Sequence, residues 1–190
     1  MLKRPRRNRR TAAIRSLCQE TQLSIEDFIM PFFVLEGTDR EETDPSLPGL
    51  YKLSCDRLLK KAEELHKFGV SAVLLFPIEQ HQYKDPTGSR ALLPRGIIPQ
   101  AIRLLKKEIP SLCVIGDVAL DPYTSHGHDG IIDRSGNVVN DVTVSLLAKI
   151  SLLFAECGAD FIAPSDMMDG RVSAIRKALD ADQFFEVGIL

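Results

Sequence analysis

Alternation between apolar segments and helical segments constrains the fold of this chain more than any other feature. Buried strands are predicted for residues 28–35, 70–78, 111–120 and 159–165, and a fifth begins at residue 185. Between them, apolar side chains recur at helical spacing in residues 54–68, 97–109, 143–157 and 171–180. Strands that alternate with helices pair in parallel and are joined by right-handed crossovers. The sequence therefore predicts an α/β fold.

Such a sheet either stays open, as in a doubly wound fold, or closes into a (β/α)8 barrel. No glycine-rich phosphate-binding motif follows the first strand. Polar side chains instead end later strands, with Asp117 after the third and Ser165 and Asp166 after the fourth, which is typical of barrel enzymes. A complete barrel needs roughly 200–250 residues. We therefore predict the N-terminal half of a (β/α)8 TIM barrel at residues 26–190, after a basic arm and short helix at residues 1–25.

The amino-terminal arm is strongly basic. Six of its first ten residues are Lys or Arg, whereas the whole chain carries a net charge of -2. No aromatic side chains interleave the arginines and no nucleic-acid-binding motif follows, so nucleic acid is not the expected partner. A solvated tail is one alternative, but an arm that lies on an acidic neighbouring subunit fits the pattern better. We expect a homo-oligomer that forms through this arm.

Composition also limits the cellular setting. No apolar run reaches the ~20 residues of a membrane span, and the basic start has no apolar core of a secretory signal. The four cysteines are widely spaced, which fits neither a zinc cluster nor a disulfide framework. The sequence predicts a cytoplasmic protein that does not enter membranes.

The segment after the third strand gathers potential metal ligands. Asp117, Asp121, His126, His128 and Asp129 fall within thirteen residues. Oxygen and imidazole ligands without thiolates favour Mg²⁺ or Mn²⁺, and the histidines also permit Zn²⁺. The alternative is a solvated loop whose carboxylates cap backbone amides. Spacing alone leaves both interpretations open.

The segment after the fourth strand and the lysines bear on catalysis. Ser165 and Asp166 would lie at the barrel mouth, where a hydroxyl and a carboxylate relay protons, although Asp169 could simply begin the next helix. Carbonyl chemistry on barrels often uses a lysine at the end of a strand. No lysine of this chain is predicted there, and Lys84 is assigned to a loop.

Taken together, several segments closely resemble the delta-aminolevulinic acid dehydratase (porphobilinogen synthase) family. The matching segments are residues 4–9, 31–37, 117–130 and 163–172. The resemblance implies a lyase that condenses two molecules of 5-aminolevulinate into porphobilinogen in haem biosynthesis. It also implies a (β/α)8 barrel whose N-terminal arm embraces a neighbouring subunit, usually in an octamer.

The resemblance assigns roles to individual residues. It implies that Asp117 and Ser165 are catalytic, lining the substrate pocket and positioning the substrate or moving protons. Asp166, beside Ser165 at the predicted barrel mouth, is expected to bind substrate. Ala119, Asp121 and Asp129 stand where zinc-dependent members carry cysteines, so the expected cofactor is Mg²⁺, with Zn²⁺ less favoured. Asp121, Asp129 and His128 are the candidate metal ligands.

The resemblance also places the two Schiff-base lysines beyond the point that matches Leu190. The chain is therefore expected to be an N-terminal fragment that is inactive alone. Two alternatives are a metal-assisted barrel enzyme of the class II aldolase type and a non-catalytic assembly module that docks on full-length subunits.

Overall fold

The computed structural model describes residues 3–43, 45 and 48–190 of the chain, which form one mixed sheet covered by helices. Its strands are β1 (Ile29–Leu35), β2 (Glu41–Thr43), β3 (Tyr51–Leu53), β4 (Ala72–Ile78), β5 (Cys113–Val118), β6 (Phe161–Pro164) and β7 (Gly188–Ile189). They lie in the order β2-β3-β1-β4-β5-β6-β7. The five predicted strands correspond to β1, β4, β5, β6 and β7, each paired in parallel with the next. The predicted α/β alternation is confirmed.

Five α-helices accompany the sheet. They are α1 (Ala12–Leu17), α2 (Cys55–Lys67), α3 (Ile97–Glu108), α4 (Asn140–Glu156) and α5 (Arg171–Ala181). The last four are the predicted ones, and α4 begins three residues before the predicted start at residue 143. No helix in the described part of the chain is long and apolar enough to cross a membrane.

The core lies between the helices and one face of the sheet. Along β4, buried Val73 and Leu75 alternate with half-buried Leu74 and Phe76. The first set packs with the helices, since parallel strands are covered by their crossover helices. At Gly116 in β5 a Cβ atom would lie 2.6 Å from Phe154 of α4, so only glycine lets this helix approach the strand so closely.

The arm has little contact with this core. It contains two 3-10 segments (Pro5–Arg9 and Ile25–Asp27) on either side of α1. Every side chain from residue 3 to residue 28 is exposed except that of Ile14, which is half-buried. The arm therefore presents its surface outward, with apolar side chains such as Leu17 and Leu23 86% and 78% exposed.

Three local details can be compared with the sequence pattern. The polar segment from the end of β1 to about residue 52 predicts a loop, but it contains the antiparallel β2–β3 pair. The strand β3 also pairs with the end of β1 at Phe33 and Val34. Residues 44, 46 and 47 of that loop lie outside the described residues. The sequence predicts a small β-hairpin at residues 131–140. The structure has an antiparallel bridge between Ile132 and Val138, and the Val139 amide donates to the Ile131 carbonyl at 2.8 Å. The sequence predicts Ser54 as the N-cap of α2. Ser54 does precede the helix, but its hydroxyl donates to Asp56 instead of accepting from a helix amide.

Candidate active site

A cavity of about 360 Å³ opens at the carboxyl ends of β1, β4, β5 and β6. Its lining residues are Phe33, Phe76, Pro77, Ile78, Glu79, Lys84, Asp117, Asp121, Pro122 and Ser165. In parallel α/β proteins this edge of the sheet is where active sites form. A larger crevice of about 720 Å³ lies in the arm. None of the carboxylates that line the strand-end cavity lines that crevice. We therefore place the candidate site at the strand ends.

Asp117 is the most perturbed carboxyl group that lines the cavity. The penultimate residue of β5, it is 6% exposed, and its Oδ1 atom has no hydrogen-bond partner in the described chain. Burial raises its pKa from 3.8 to about 6, and the negative charges of Asp121 and Asp166 act in the same direction. The Ser165 hydroxyl opposes this by hydrogen bonding, which lowers the pKa in part. A carboxyl group of this pKa can accept and donate protons near neutral pH.

Ser165 and Asp166 follow β6, but the structure separates their roles. Ser165 lines the cavity beside Asp117. Asp166 is 2% exposed and absent from the lining; its Oδ1 accepts from the Met168 amide at 2.7 Å and its Oδ2 lies 3.2 Å from the Arg171 Nε. Burial raises its pKa despite these contacts. Asp166 thus anchors the start of the β6–α5 loop.

The candidate metal ligands lie in the loop after β5. His128 Nδ1 is 2.8 Å from Asp129 Oδ1 and 3.0 Å from the Gly130 amide nitrogen. Asp129 Oδ2 accepts from the Met167 amide at 3.0 Å, which ties this loop to the β6–α5 loop. Asp121 stands at the exposed rim of the cavity.

These three side chains do not form a metal-binding set by themselves. No group of three His, Cys, Asp or Glu side chains in the described ranges is arranged to hold a metal ion. The donor atoms of Asp129 and the Nδ1 of His128 are occupied by contacts within the protein. A metal at Asp121, Asp129 and His128 stays a prediction, and it would need further ligands.

Sequence reasoning missed several residues of the cavity. Lys84 was assigned to a loop, but the structure brings it into the lining. Glu79, directly after β4, accepts from Arg90 Nε at 3.0 Å, and Arg90 Nη2 reaches Glu36 at 2.6 Å. The Phe33 and Phe76 rings, neighbours across β1 and β4, are 5.4 Å apart and form an apolar wall.

Hydrogen bonds between two loops explain the position of Lys84. The Asp85 amide donates to the Tyr123 carbonyl at 3.2 Å, and the Ser125 amide donates to the Asp85 carbonyl at 3.0 Å. The Asp85 carboxylate accepts from the amides and hydroxyls of Thr87 and Ser89, which holds its pKa below the usual range. The loop after β4 is therefore fastened to the loop after β5, beside the cavity.

Parallel βα units with titratable side chains gathered at their carboxyl ends define the class of (β/α)-barrel enzymes. Comparisons with known proteins agree. A crystal structure of delta-aminolevulinic acid dehydratase (porphobilinogen synthase) from Toxoplasma gondii ME49, in complex with the reaction product porphobilinogen, matches with a TM-score of 0.96 and 43% identity. The match covers 100% of this chain and 54% of that one. The predicted fold class, the N-terminal half of such a barrel, is confirmed.

Sequence comparisons identify the family. The profile of delta-aminolevulinic acid dehydratase matches residues 2–190. The dehydratase of Chlamydia pneumoniae is 50% identical over 99% of this chain and 56% of its own length, and that of Bradyrhizobium diazoefficiens is 44% identical over 98% and 53%. A chloroplastic dehydratase of Glycine max is 46% identical over 99% of this chain and 46% of its own length. The chain belongs to the delta-aminolevulinic acid dehydratase family and spans about half the length of these relatives.

Proposed function

We propose that the complete protein containing these residues is a porphobilinogen synthase, a lyase that condenses two molecules of 5-aminolevulinate. The observation that carries this proposal is the cavity shared by Asp117 and Ser165, set in a fold that matches a product-bound relative over its whole length. Throughout, the complete protein means these 190 residues followed by their own second half. Where the gene supplies none, it means a fusion to the second half of the C. pneumoniae relative.

Asp117 and Ser165 carry the proton chemistry in this proposal. With a pKa near 6, Asp117 exchanges a proton with the amino group or the adjacent carbon of a bound amino ketone near neutral pH. The nearby Ser165 hydroxyl stabilises the ionised carboxylate and so lowers its pKa in part. Asp166 keeps Ser165 in place through the Met168 amide and Arg171. Direct contact between Asp166 and substrate stays a prediction.

The proposed metal is Mg²⁺. The family is metal-dependent in general. Ala119, Asp121 and Asp129 offer no thiolate, and carboxylate oxygens are the ligands that Mg²⁺ prefers. Asp121, Asp129 and His128 would contribute donors only together with ligands from outside this chain. When bound, the ion would supply positive charge.

The proposed homo-oligomer is supported by the exposed surface of the arm, and the proposed cytoplasmic location by the unpaired cysteines. The exposed apolar side chains of the arm and its arginines fit a contact with an acidic subunit of the same protein, which supports a homo-oligomer. All four cysteines are unpaired, which suits the reducing cytoplasm. The relative from Glycine max is named as chloroplastic, so the compartment of that protein is a different one.

A chelation experiment tests the proposed function. The complete protein should form porphobilinogen, keep this activity with a zinc-selective chelator, and gain activity when Mg²⁺ is added. Borohydride together with 5-aminolevulinate should trap a covalent adduct on a lysine. Carbonyl cleavage that requires a metal and leaves no trapped adduct would favour the aldolase alternative. Restoration by Zn²⁺ but not by Mg²⁺ would refute the choice of metal.

A further inference from the structure

Lys84 is the cation of the strand-end cavity. Among the described residues that line this cavity it is the only basic one, and it shares the lining with Glu79, Asp117 and Asp121. Its side chain is half-buried. A charge that is partly removed from water needs a counter-charge, since its burial is otherwise unfavourable.

The protein supplies that counter-charge only from a distance. Within the described chain, Lys84 Nζ makes no hydrogen bond and no ion pair within 4.0 Å. Its positive charge nevertheless lowers the pKa values of both Glu79 and Asp121, which burial raises more strongly. Glu79 is already paired with Arg90. The ammonium group of Lys84 therefore has donors to offer to a molecule in the cavity.

The position of Lys84 is fixed before any ligand arrives. Its own amide donates to the His81 carbonyl at 3.2 Å, and the adjacent Asp85 is bridged to Thr124 in the neighbouring loop. His126 Nε2 lies 3.1 Å from the Pro86 carbonyl oxygen and adds a second link between the loops. A binding group on such a support loses little freedom when the ligand binds, which favours affinity.

The described residues do not by themselves hold a divalent metal at Asp121. His128 Nδ1 and both oxygens of Asp129 make contacts within the protein, and no three-donor group exists among the described residues. An ion at Asp121 would also face the Lys84 ammonium group. Lys84 is therefore the cation that the described residues themselves supply to the cavity.

We propose that Lys84 binds a carboxylate oxygen of the ligand in this cavity. The identity of the ligand rests on the proposed function, an amino keto acid. Its amino end would face the carboxylates of Asp117 and Asp121, while Lys84 holds an oxygen at the other end. The negative charges of Asp117 and Asp121 and the positive charge of Lys84 thereby orient the ligand in the cavity.

Substitution of Lys84 in the complete protein tests this proposal. Lys84→Met removes the charge and keeps the length of the side chain, Lys84→Arg keeps the charge, and Lys60→Met is the matched control on the exposed face of α2. Loss of a charged hydrogen bond should weaken binding by about 10-fold to 100-fold. The probes are levulinate, a keto acid without the amine, and 5-aminolevulinate; binding is measured by calorimetry and KM by porphobilinogen formation.

The expected result is weaker levulinate binding and a higher KM for Lys84→Met, a smaller change for Lys84→Arg, and none for Lys60→Met. Added Mg²⁺ or Mn²⁺ should not restore the loss. Unchanged affinity in Lys84→Met, or full recovery with either metal, would overturn the proposal. Circular dichroism checks that each variant is folded. If the unsubstituted protein makes no porphobilinogen, the proposed function fails, whereas levulinate calorimetry still reports on Lys84.

Discussion

Replacement of Asp117 by Asn should stabilise the complete protein at alkaline pH. The carboxylate of Asp117 is buried, and its Oδ1 has no hydrogen-bond partner in the described chain. Because the folded-state pKa, about 6, lies above the ordinary 3.8, ionisation favours the unfolded state. The destabilisation begins above the unfolded value and is complete above the folded one. An amide of the same shape avoids it.

The pKa difference sets the size of the effect. A shift from 3.8 to about 6 corresponds to about 3 kcal/mol at pH 8, where both states are ionised, and to about 0.5 kcal/mol at pH 4. Urea unfolding of Asp117→Asn and of the unsubstituted protein at both pH values measures this difference. We expect the variant to be the more stable at pH 8 and nearly equal at pH 4.

Asp133 provides a control of opposite sign. This exposed carboxylate accepts hydrogen bonds from the amides of Ser135 and Asn137, and its pKa is lowered, first by the Asn137 amide. Its stabilising effect is present above the unfolded pKa and is lost as the pH falls. Asp133→Asn should therefore weaken the fold at pH 8 and not at low pH. A variant Asp117→Asn that is no more stable than the unsubstituted protein at pH 8, or equally shifted at both pH values, would refute the burial argument.

Three further predictions use other parts of the structure. Gly116→Ala should destabilise the fold by about 1–3 kcal/mol, because the new Cβ would meet the Phe154 ring at 2.6 Å. Urea unfolding should show a smaller loss of stability when the same substitution is made in a Phe154→Leu variant. Equal losses in the two backgrounds would contradict the steric cause. Ser165→Ala in the complete protein removes a hydrogen bond that lowers the pKa of Asp117, so the acidic limb of the pH–activity profile should move to higher pH, and an unmoved limb would exclude that contact. The isolated 190-residue chain should form no porphobilinogen in a colorimetric assay. Among the described residues its only cavity-lining lysine is Lys84, which lies six residues beyond the end of β4. Product formed after removal of host enzyme would disprove this prediction.

The framework of the fold was predictable because its cause is local. Strands such as β4 and β5 are apolar runs, and helices such as α3 show apolar side chains at helical spacing. The same pattern placed Asp117 and Ser165 at neighbouring strand ends, where the structure has them. Boundaries were less certain, because the start of α4 depends on contacts such as that between Asn140 and the Asp169 amide.

The missed features depend on contacts between distant residues. Lys84 reaches the cavity because Asp85 pairs with Thr124, which is 39 residues away in the sequence. The periodicity of apolar residues does not predict a contact of this kind. The hydroxyls of Thr87 and Ser89, two and four residues after Asp85, do indicate a fastened turn. The short strand β2 has only exposed polar residues, so no apolar pattern marks it, and it pairs only because β3 offers an edge.

The β2–β3 pair has a consequence for how the isolated chain associates. The strand β3 covers the end of β1, so the margins of the sheet are β2, which has only exposed residues, and β7. The two margins are unequal. Head-to-tail stacking requires a complementary free edge on each side and otherwise cannot propagate. The short edge strand β2 carries Glu41 and Glu42, whose charges disfavour pairing with another copy, so contact through β7 joins two copies about a twofold axis. Association of this kind ends at a pair and gives no fibre.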